Sequence, residues 1–298
     1  MKASTSPFPR AQAPAALPSW LPILVTAASY EAVRLLSRAA EQPLRPAGAR
    51  SDPAGELVAA VIVGASLASL APRLGGSARS RWVALTLLLF ASVAAVMLEG
   101  SAFAPSLSPV SAIPLGLVEQ LGVSLLTAGV AAALSPGSSG RSTIGRPSLD
   151  RFVPRVGATA LVYVLAYLVS GAIAYSLVTG PYYAAHASGL ERPDPSIVLA
   201  VALAEGVLMT LGALPLTGAL RGPRWSRALA CGLALWLLGG VIPLLQQSTL
   251  PDVVRLASAV EILFQKVPLG IALVWFLVPA EPRELGWADA PRSAEAAR

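Results

Sequence analysis

The chain has 298 residues, of which 55% are hydrophobic and 13% are charged, and its net charge is +6. Soluble domains carry about 25% charged residues, so this composition excludes an ordinary soluble globular protein. The single cysteine and the single histidine exclude a disulfide framework and multi-histidine metal centres, and we expect neither a metal nor a cofactor. The basic residues are spread over short loops and form no dense run, so we expect no nucleic-acid partner.

Eight apolar stretches follow one another along the chain, each near the ~20 residues that a helix needs to cross a bilayer. A segment in lipid must satisfy its own backbone hydrogen bonds, so these stretches predict helices. The sequence therefore predicts an all-α polytopic membrane bundle of about eight helices, with the lipid bilayer as its surroundings. The predicted spans are 18–36, 57–73, 82–99, 112–134, 157–179, 196–220, 227–247 and 258–278.

The eight stretches are predicted to be two tandem copies of one unit of four spans. Each unit has an even number of spans, so both insert with the same orientation, as two tandem parallel repeats related by an axis along the membrane normal. One residue off the main offset, Val118-Glu119 matches Val260-Glu261. The main offset is 143 residues, and it matches Pro72 with Pro215, Gly75 with Gly218, Arg81 with Arg224 and Trp82 with Trp225.

Three segments lie outside the two repeats. Residues 1–17 are rich in Pro, Ala and Ser and predict a disordered cytoplasmic tail, and residues 280–298 predict a second cytoplasmic tail. Residues 137–156 are rich in Gly, Ser and Arg, which is typical of a flexible linker. This linker separates the first repeat at 18–136 from the second repeat at 157–279.

Basic residues predict the orientation, because Lys and Arg are enriched in short cytoplasmic loops. With the N-terminus in the cytoplasm, fifteen of the 22 Lys and Arg residues fall in cytoplasmic segments, six fall outside, and Lys266 lies within a span. Both termini are then cytoplasmic, and the Arg-, Ala- and Leu-rich composition favours a bacterial inner membrane. Four of the six exceptions lie in the first outer loop. If the first stretch lies along the interface, seven spans remain and the N-terminus moves outside.

Ionisable residues inside spans are costly and mark candidate functional sites. Glu119, Glu205, Glu261 and Lys266 are predicted in the outer half or at the centre of their spans. At ~1.5 Å per residue, Glu119 lies about 12 Å and Lys266 about 15 Å below the outer surface of a ~30 Å core. We expect these four side chains to line a polar pocket that binds a small molecule or an ion, between the halves and open to the outside.

Helical spacing predicts the partners of these groups. Glu261 and Gln265 are four residues apart and are expected to touch, whereas Glu261 and Lys266 are five apart and lie on different faces. Lys266 is therefore expected to find a carboxylate on another helix. Glu119 is the expected partner, because spans four and eight correspond in the two repeats.

Three functions are compatible with this pattern. The first is a transporter or permease that moves a small molecule or an ion through the polar pocket. The second is a structural or accessory membrane subunit, whose buried charges only fix helix packing. The third, an enzyme acting on a lipid-linked intermediate, is the weakest because no pair of nucleophile and base is visible in the sequence.

Overall fold

The computed structural model describes residues 18–41, 52–106, 108–135 and 149–278. The predicted tails at 1–17 and 280–298 lie outside these ranges, as does most of the predicted linker. Within them the secondary structure is helical, apart from one isolated antiparallel bridge between Leu74 and Leu220. The all-α prediction is therefore confirmed for the described part of the chain.

Ten α-helices are present in these ranges. Short π-helical segments at Tyr175–Thr179, Leu237–Val241 and Leu273–Leu277 follow α5, α8 and α10 directly. The helices are α1 (Trp20–Glu41), α2 (Pro53–Leu70), α3 (Ala78–Phe103), α4 (Ile113–Leu134), α5 (Leu149–Ala174), α6 (Gly180–Ala184), α7 (Pro195–Ala219), α8 (Arg224–Trp236), α9 (Ile242–Gln246) and α10 (Asp252–Ala272).

Seven helical segments among the described residues are long and apolar enough to cross a bilayer, which supports a multi-pass membrane protein. Helix α1 has 22 residues but is not among them, because Glu31 and Arg34 lower its hydropathy. The eighth span therefore stays a prediction. The seven segments are Pro53–Arg73, Ala78–Phe103, Val110–Leu134, Asp150–Ala184, Pro195–Ala219, Arg224–Gln246 and Asp252–Leu277.

The helices pack in a regular pattern of neighbours. Helix α1 packs against α2 and α4, and α3 packs against α4. In the second part of the chain, α5 packs against α7 and α10, and α8 packs against α10. Helix α3 packs along α7, while α2 packs against α9 and the π-helical segment before it, and these two contacts join the two parts of the bundle.

Small residues allow the helix backbones to approach closely, as in other membrane bundles. A Cβ atom on Gly270 of α10 would lie 2.5 Å from the backbone nitrogen of Gly232 and 2.6 Å from the carbonyl oxygen of Ala228. A Cβ atom on Gly212 of α7 would lie 2.2 Å from the Cβ of Ala91 on α3. These crossings fix the helix positions that carry the polar side chains described below.

Helix α5 begins eight residues before the predicted span at 157–179, at Leu149. Asp150, Arg151 and Arg155 make this first part of the helix hydrophilic. A hydropathy pattern detects only the apolar part of a helix, whereas the hydrogen-bonded helix also includes its polar first turns. Helix α5 therefore includes residues 149–156, which lie within the predicted linker at 137–156.

The start of α7 is fixed by a side-chain cap outside the membrane. The backbone nitrogen of Ser196 donates to the Asp194 carboxylate at 2.8 Å, and the Ser196 hydroxyl donates to the same oxygen at 2.6 Å. The hydroxyl and then the backbone N–H lower the pKa of the Asp194 carboxyl. This cap satisfies a backbone N–H that would otherwise have no partner at the helix start.

Candidate functional site

Glu205 and Lys266 meet inside the second part of the bundle through one tyrosine. The Tyr163 hydroxyl donates a hydrogen bond of 2.6 Å to Glu205 Oε2, and Lys266 Nζ donates one of 3.0 Å to the same hydroxyl. Lys266 Nζ also lies 4.6 Å from the centroid of the Tyr163 ring, within cation–π range. Tyr163, Glu205 and Lys266 are 0%, 1% and 3% exposed, so the network is enclosed by protein.

The surroundings of this network position its members. Lys266 Nζ lies 3.1 Å from the Met209 sulfur, one turn after Glu205 on the same face of α7. A Cβ atom on Gly206 would lie 3.1 Å from the Ala160 carbonyl oxygen and from the Tyr163 ring. The absence of a side chain at Gly206 therefore lets α5 approach α7 closely enough for Tyr163 to reach Glu205.

Lys266 lies near the middle of its span. It follows Asp252, the first residue of the segment, by about 21 Å and precedes Leu277 by about 16 Å at ~1.5 Å per residue. A lone ammonium group at this depth costs several kcal/mol. The Tyr163 hydroxyl and ring and the Met209 sulfur contact the Lys266 ammonium group in this buried position.

A second hydrogen bond lies one turn further along α5. The Tyr167 hydroxyl donates to Glu99 Oε1 of α3 at 3.0 Å, and the Tyr163 and Tyr167 ring centroids are 5.9 Å apart. Neither tyrosine was among the site residues predicted from the sequence. Their spacing of four residues, which places both hydroxyls on one face of an apolar helix, is the signal that would have found them.

Glu261, near the middle of α10, takes no part in the hydrogen bonds that join Lys266, Tyr163 and Glu205. Gln265 Nε2 donates a hydrogen bond of 3.1 Å to Glu261 Oε1, which confirms the expected contact between these two residues. In the part of the chain that the structure describes, no lysine or arginine forms an ion pair with Glu261. Its carboxylate lies against the backbone of α5, since a Cβ atom on Gly171 would be 3.2 Å from Glu261 Oε1.

Two cavities meet at Glu261. The apolar cavity has a volume of about 860 Å³ and is a groove on the surface of the bundle between α5 and α10, since lining side chains such as Leu177 and Phe264 are 76% and 64% exposed. Glu261 and Ser170 are the polar residues in its lining. The polar cavity has a volume of about 360 Å³ and is also lined by Glu261. The polar side chains that share its lining with Glu261 are Tyr167, Tyr175, Thr179, Tyr183 and Arg192.

Glu119 lies in a different part of the molecule. Its charge acts on Arg34 of α1, which donates hydrogen bonds of 3.0 Å to the Tyr30 hydroxyl and to Gln246 Oε1. The hydrogen bonds of Lys266 go to Tyr163 and Met209, so Glu205, through Tyr163, takes the place expected for Glu119. The physical reason is that α4 packs against α1 and α3, whereas α10 packs against α5 and α8.

The four residues predicted to share one pocket are therefore divided among three environments. Glu205 and Lys266 belong to the enclosed network, Glu261 lines both cavities, and Glu119 lies near α1. Among the described residues, no group of three His, Cys, Asp or Glu side chains is placed to hold a metal ion. No protein-family model, curated protein or solved structure matches this chain.

Proposed function

We propose that this protein is a transporter-like membrane protein in which Glu261 contacts the substrate. One observation carries this proposal: the half-buried Glu261 carboxylate lines both an apolar groove of about 860 Å³ at the surface of the bundle and a polar cavity of about 360 Å³. Ligand pockets have volumes of about 300–1,000 Å³, and ionisable residues within membrane spans commonly mark substrate paths. The enclosed network of Lys266, Tyr163 and Glu205 then holds α5, α7 and α10 in place around the substrate path.

The proposal includes two tandem parallel repeats that form the bundle, and the loops before α3 and α8 support it. Backbone hydrogen bonds run from Gly75 N to the Ala219 carbonyl and from Arg221 N to the Arg73 carbonyl, on either side of the Leu74–Leu220 bridge. The two residues of the bridge are 146 positions apart. The bridge joins the loop that precedes α3 to the loop that precedes α8, and these two loops correspond to each other in the proposed repeats.

Buried arginines support the same offset of 146 residues. Arg81 and Arg227 are 3% and 4% exposed, and both donate hydrogen bonds to backbone carbonyls. Arg224, which the sequence offset of 143 pairs with Arg81, lies instead over the Trp275 ring at 5.7 Å. We therefore propose that Arg227 is the counterpart of Arg81, and that the offset varies along the chain as loop lengths differ.

The proposed orientation keeps both termini in the cytoplasm of a bacterial cell, with the protein in the inner membrane. Thr179 and Arg192 line the polar cavity and belong to the connection between α5 and α7. In this orientation that connection lies on the outer side of the membrane. The polar cavity therefore faces outward, where a solute enters from the periplasm.

Transport is tested with the full chain reconstituted in proteoliposomes. Vesicles holding the wild-type protein or Glu261→Gln are incubated in a bacterial cell extract, with and without an imposed pH gradient, and their contents are compared by mass spectrometry. We expect at least one solute to accumulate in wild-type vesicles and not in Glu261→Gln vesicles. Equal contents in wild-type, variant and protein-free vesicles contradict the proposal.

A structural or accessory role is the second candidate, and the enclosed network favours it. Lys266, Tyr163 and Glu205 satisfy one another within the protein, and none of them lines either cavity described above. In that case the buried charges serve as interhelical contacts. Substitutions in the network then lower stability, and Glu261→Gln leaves every solute level unchanged.

A further inference from the structure

Two tyrosines occupy similar places in the two parts of the bundle. Tyr30 of α1 accepts a hydrogen bond of 3.4 Å from Gln246, at the end of α9, and Tyr167 of α5 donates one to Glu99, near the end of α3. Each tyrosine therefore reaches a polar side chain from the other part of the bundle. One turn later, α1 carries Arg34 and α5 carries Gly171.

This difference means that α5 carries no cation at the position where α1 carries Arg34. The guanidinium group of Arg34 lies within the electrostatic influence of Glu119, on α4. Glu261, on α10, lies against Gly171, where no side chain extends from α5. The Arg34 side chain of α1 thus has no counterpart on α5 beside Glu261.

The space beside Glu261 has two chemical parts. The apolar cavity is lined by side chains such as Leu165, Val169 and Phe264, which suit an alkyl chain. The polar cavity brings hydroxyl groups to the carboxylate. Arg192 is the cation in its lining, and its guanidinium carbon lies 5.2 Å from the Tyr175 ring centroid, so that ring stabilises the positive charge of Arg192.

We propose that Glu261 binds the ammonium group of a single-chain organic cation, with its alkyl chain in the apolar cavity. The proposal rests on the proposed function for the path of the solute, and it adds the chemical class of that solute. The ligand supplies the charge that Arg34 supplies in the first part of the bundle. A carboxylate with room for a primary ammonium, continuous with an apolar cavity, is complementary to both ends of such a molecule.

The test measures binding of radiolabelled dodecylamine to the full chain in phosphatidylcholine nanodiscs, by scintillation proximity with empty nanodiscs as the blank. We expect saturable binding to the wild-type protein. Glu261→Gln, which keeps the size of the side chain, should weaken it about tenfold or more, since a hydrogen bond to a charged group is lost. Dodecanol, with the same chain and no charge, should compete at least about tenfold less well than unlabelled dodecylamine.

Gly171→Arg gives a second, independent test, because it places a guanidinium group where α1 has Arg34. We expect this variant to lose dodecylamine binding. Gly157→Arg is the matched control, since it makes the same change on the same helix and a Cβ atom there meets no neighbouring atom within 4 Å. It should bind like the wild-type protein, and gel filtration of each variant shows that it is folded.

Several outcomes overturn the proposal. Unchanged binding in Glu261→Gln does so, and so does equal competition by dodecanol, which would show a purely apolar site. Binding of lysophosphatidylethanolamine but not of dodecylamine, with loss in Arg192→Gln, would assign the site to a phospholipid headgroup instead. Dodecylamine binding without solute accumulation in vesicles contradicts only transport, and accumulation without dodecylamine binding contradicts only this ligand class.

Discussion

The ammonium group of Lys266 and the hydroxyl of Tyr163 are 3.0 Å apart, and the same hydroxyl lies 2.6 Å from the Glu205 carboxylate. One tyrosine therefore separates a lysine from a glutamate at the centre of a membrane bundle. Because Tyr163 comes from α5, Glu205 from α7 and Lys266 from α10, the hydroxyl joins three helices. Its removal affects two charged or ionisable neighbours at once.

Tyr163→Phe should therefore lower the free energy of unfolding by about 1–3 kcal/mol, the cost of leaving buried polar groups without a partner. The ring remains, so packing and the cation–π contact are retained. The measurement is unfolding in mixed detergent micelles with increasing SDS. Tyr182→Phe, at a half-buried tyrosine of the outer connection, is the control and should change stability by less than about 0.5 kcal/mol. Equal effects of the two substitutions contradict the role given to the Tyr163 hydroxyl.

The coupling of Lys266 and Glu205 can be measured with a double-mutant cycle. Lys266→Met removes the positive charge that contacts Tyr163 and leaves Glu205 buried without it. This should lower the free energy of unfolding by about 3 kcal/mol. Adding Glu205→Gln to the Lys266→Met protein should raise the free energy of unfolding again by about 1 kcal/mol or more, because the side chains at both positions are then uncharged. The measurement is again SDS unfolding of the four proteins of the cycle. Strictly additive losses would show that the two residues act independently.

Helix content and span positions were predictable because they follow from uninterrupted apolar runs. The seven apolar helices of the described ranges overlap seven of the eight predicted spans. Helix α1 is the exception among the predicted spans. It forms a helix of 22 residues, yet Glu31 and Arg34 make its hydropathy too low to establish that it crosses the bilayer.

The composition of the site was less predictable, since hydropathy does not determine which helices are neighbours. Glu119 and Lys266 were expected together because their spans correspond in the repeat, but Lys266 contacts Tyr163 instead. The contact of Glu261 with Gln265 was predictable because it is local, four residues apart on one helix. Gly171 carried no signal in the sequence, since its importance comes from Glu261 on a distant helix.

Gly270→Ala should separate α8 from α10 and destabilise the bundle by about 1–3 kcal/mol, the usual cost of overpacking. The added methyl group would lie 2.5 Å from a backbone nitrogen of α8, where no flexible side chain can move aside. Gly157→Ala is the matched control on an open helix face and should be neutral or slightly stabilising. Thermal unfolding in detergent compares the two, and equal midpoints would contradict the close crossing.

The number of spans determines where the N-terminus lies. Single cysteines in place of Ser4 and Ser293, in a Cys231→Ala background, should both resist a membrane-impermeant maleimide in intact spheroplasts and react after lysis. That result places both ends in the cytoplasm. It agrees with an even number of spans, which requires both ends to lie on the same side of the membrane. Labelling of Ser4→Cys alone in intact spheroplasts would mean that α1 does not cross, and it would leave seven spans.

In the proposed orientation we expect water to reach Glu261 but not the enclosed network of Lys266, Tyr163 and Glu205. Glu261→Cys should react with a small, impermeant methanethiosulfonate reagent added from outside, because the polar cavity connects this position to the outer side in the proposed orientation. Thr210→Cys should stay unreactive, since Thr210 is fully buried next to Met209 and the substitution barely changes side-chain size. Both are made with Cys231→Ala, and labelling in SDS shows that each thiol is intact. Protection at both positions would remove the outward path on which the transport proposal depends, whereas reaction at both would show that water reaches the Lys266 network as well.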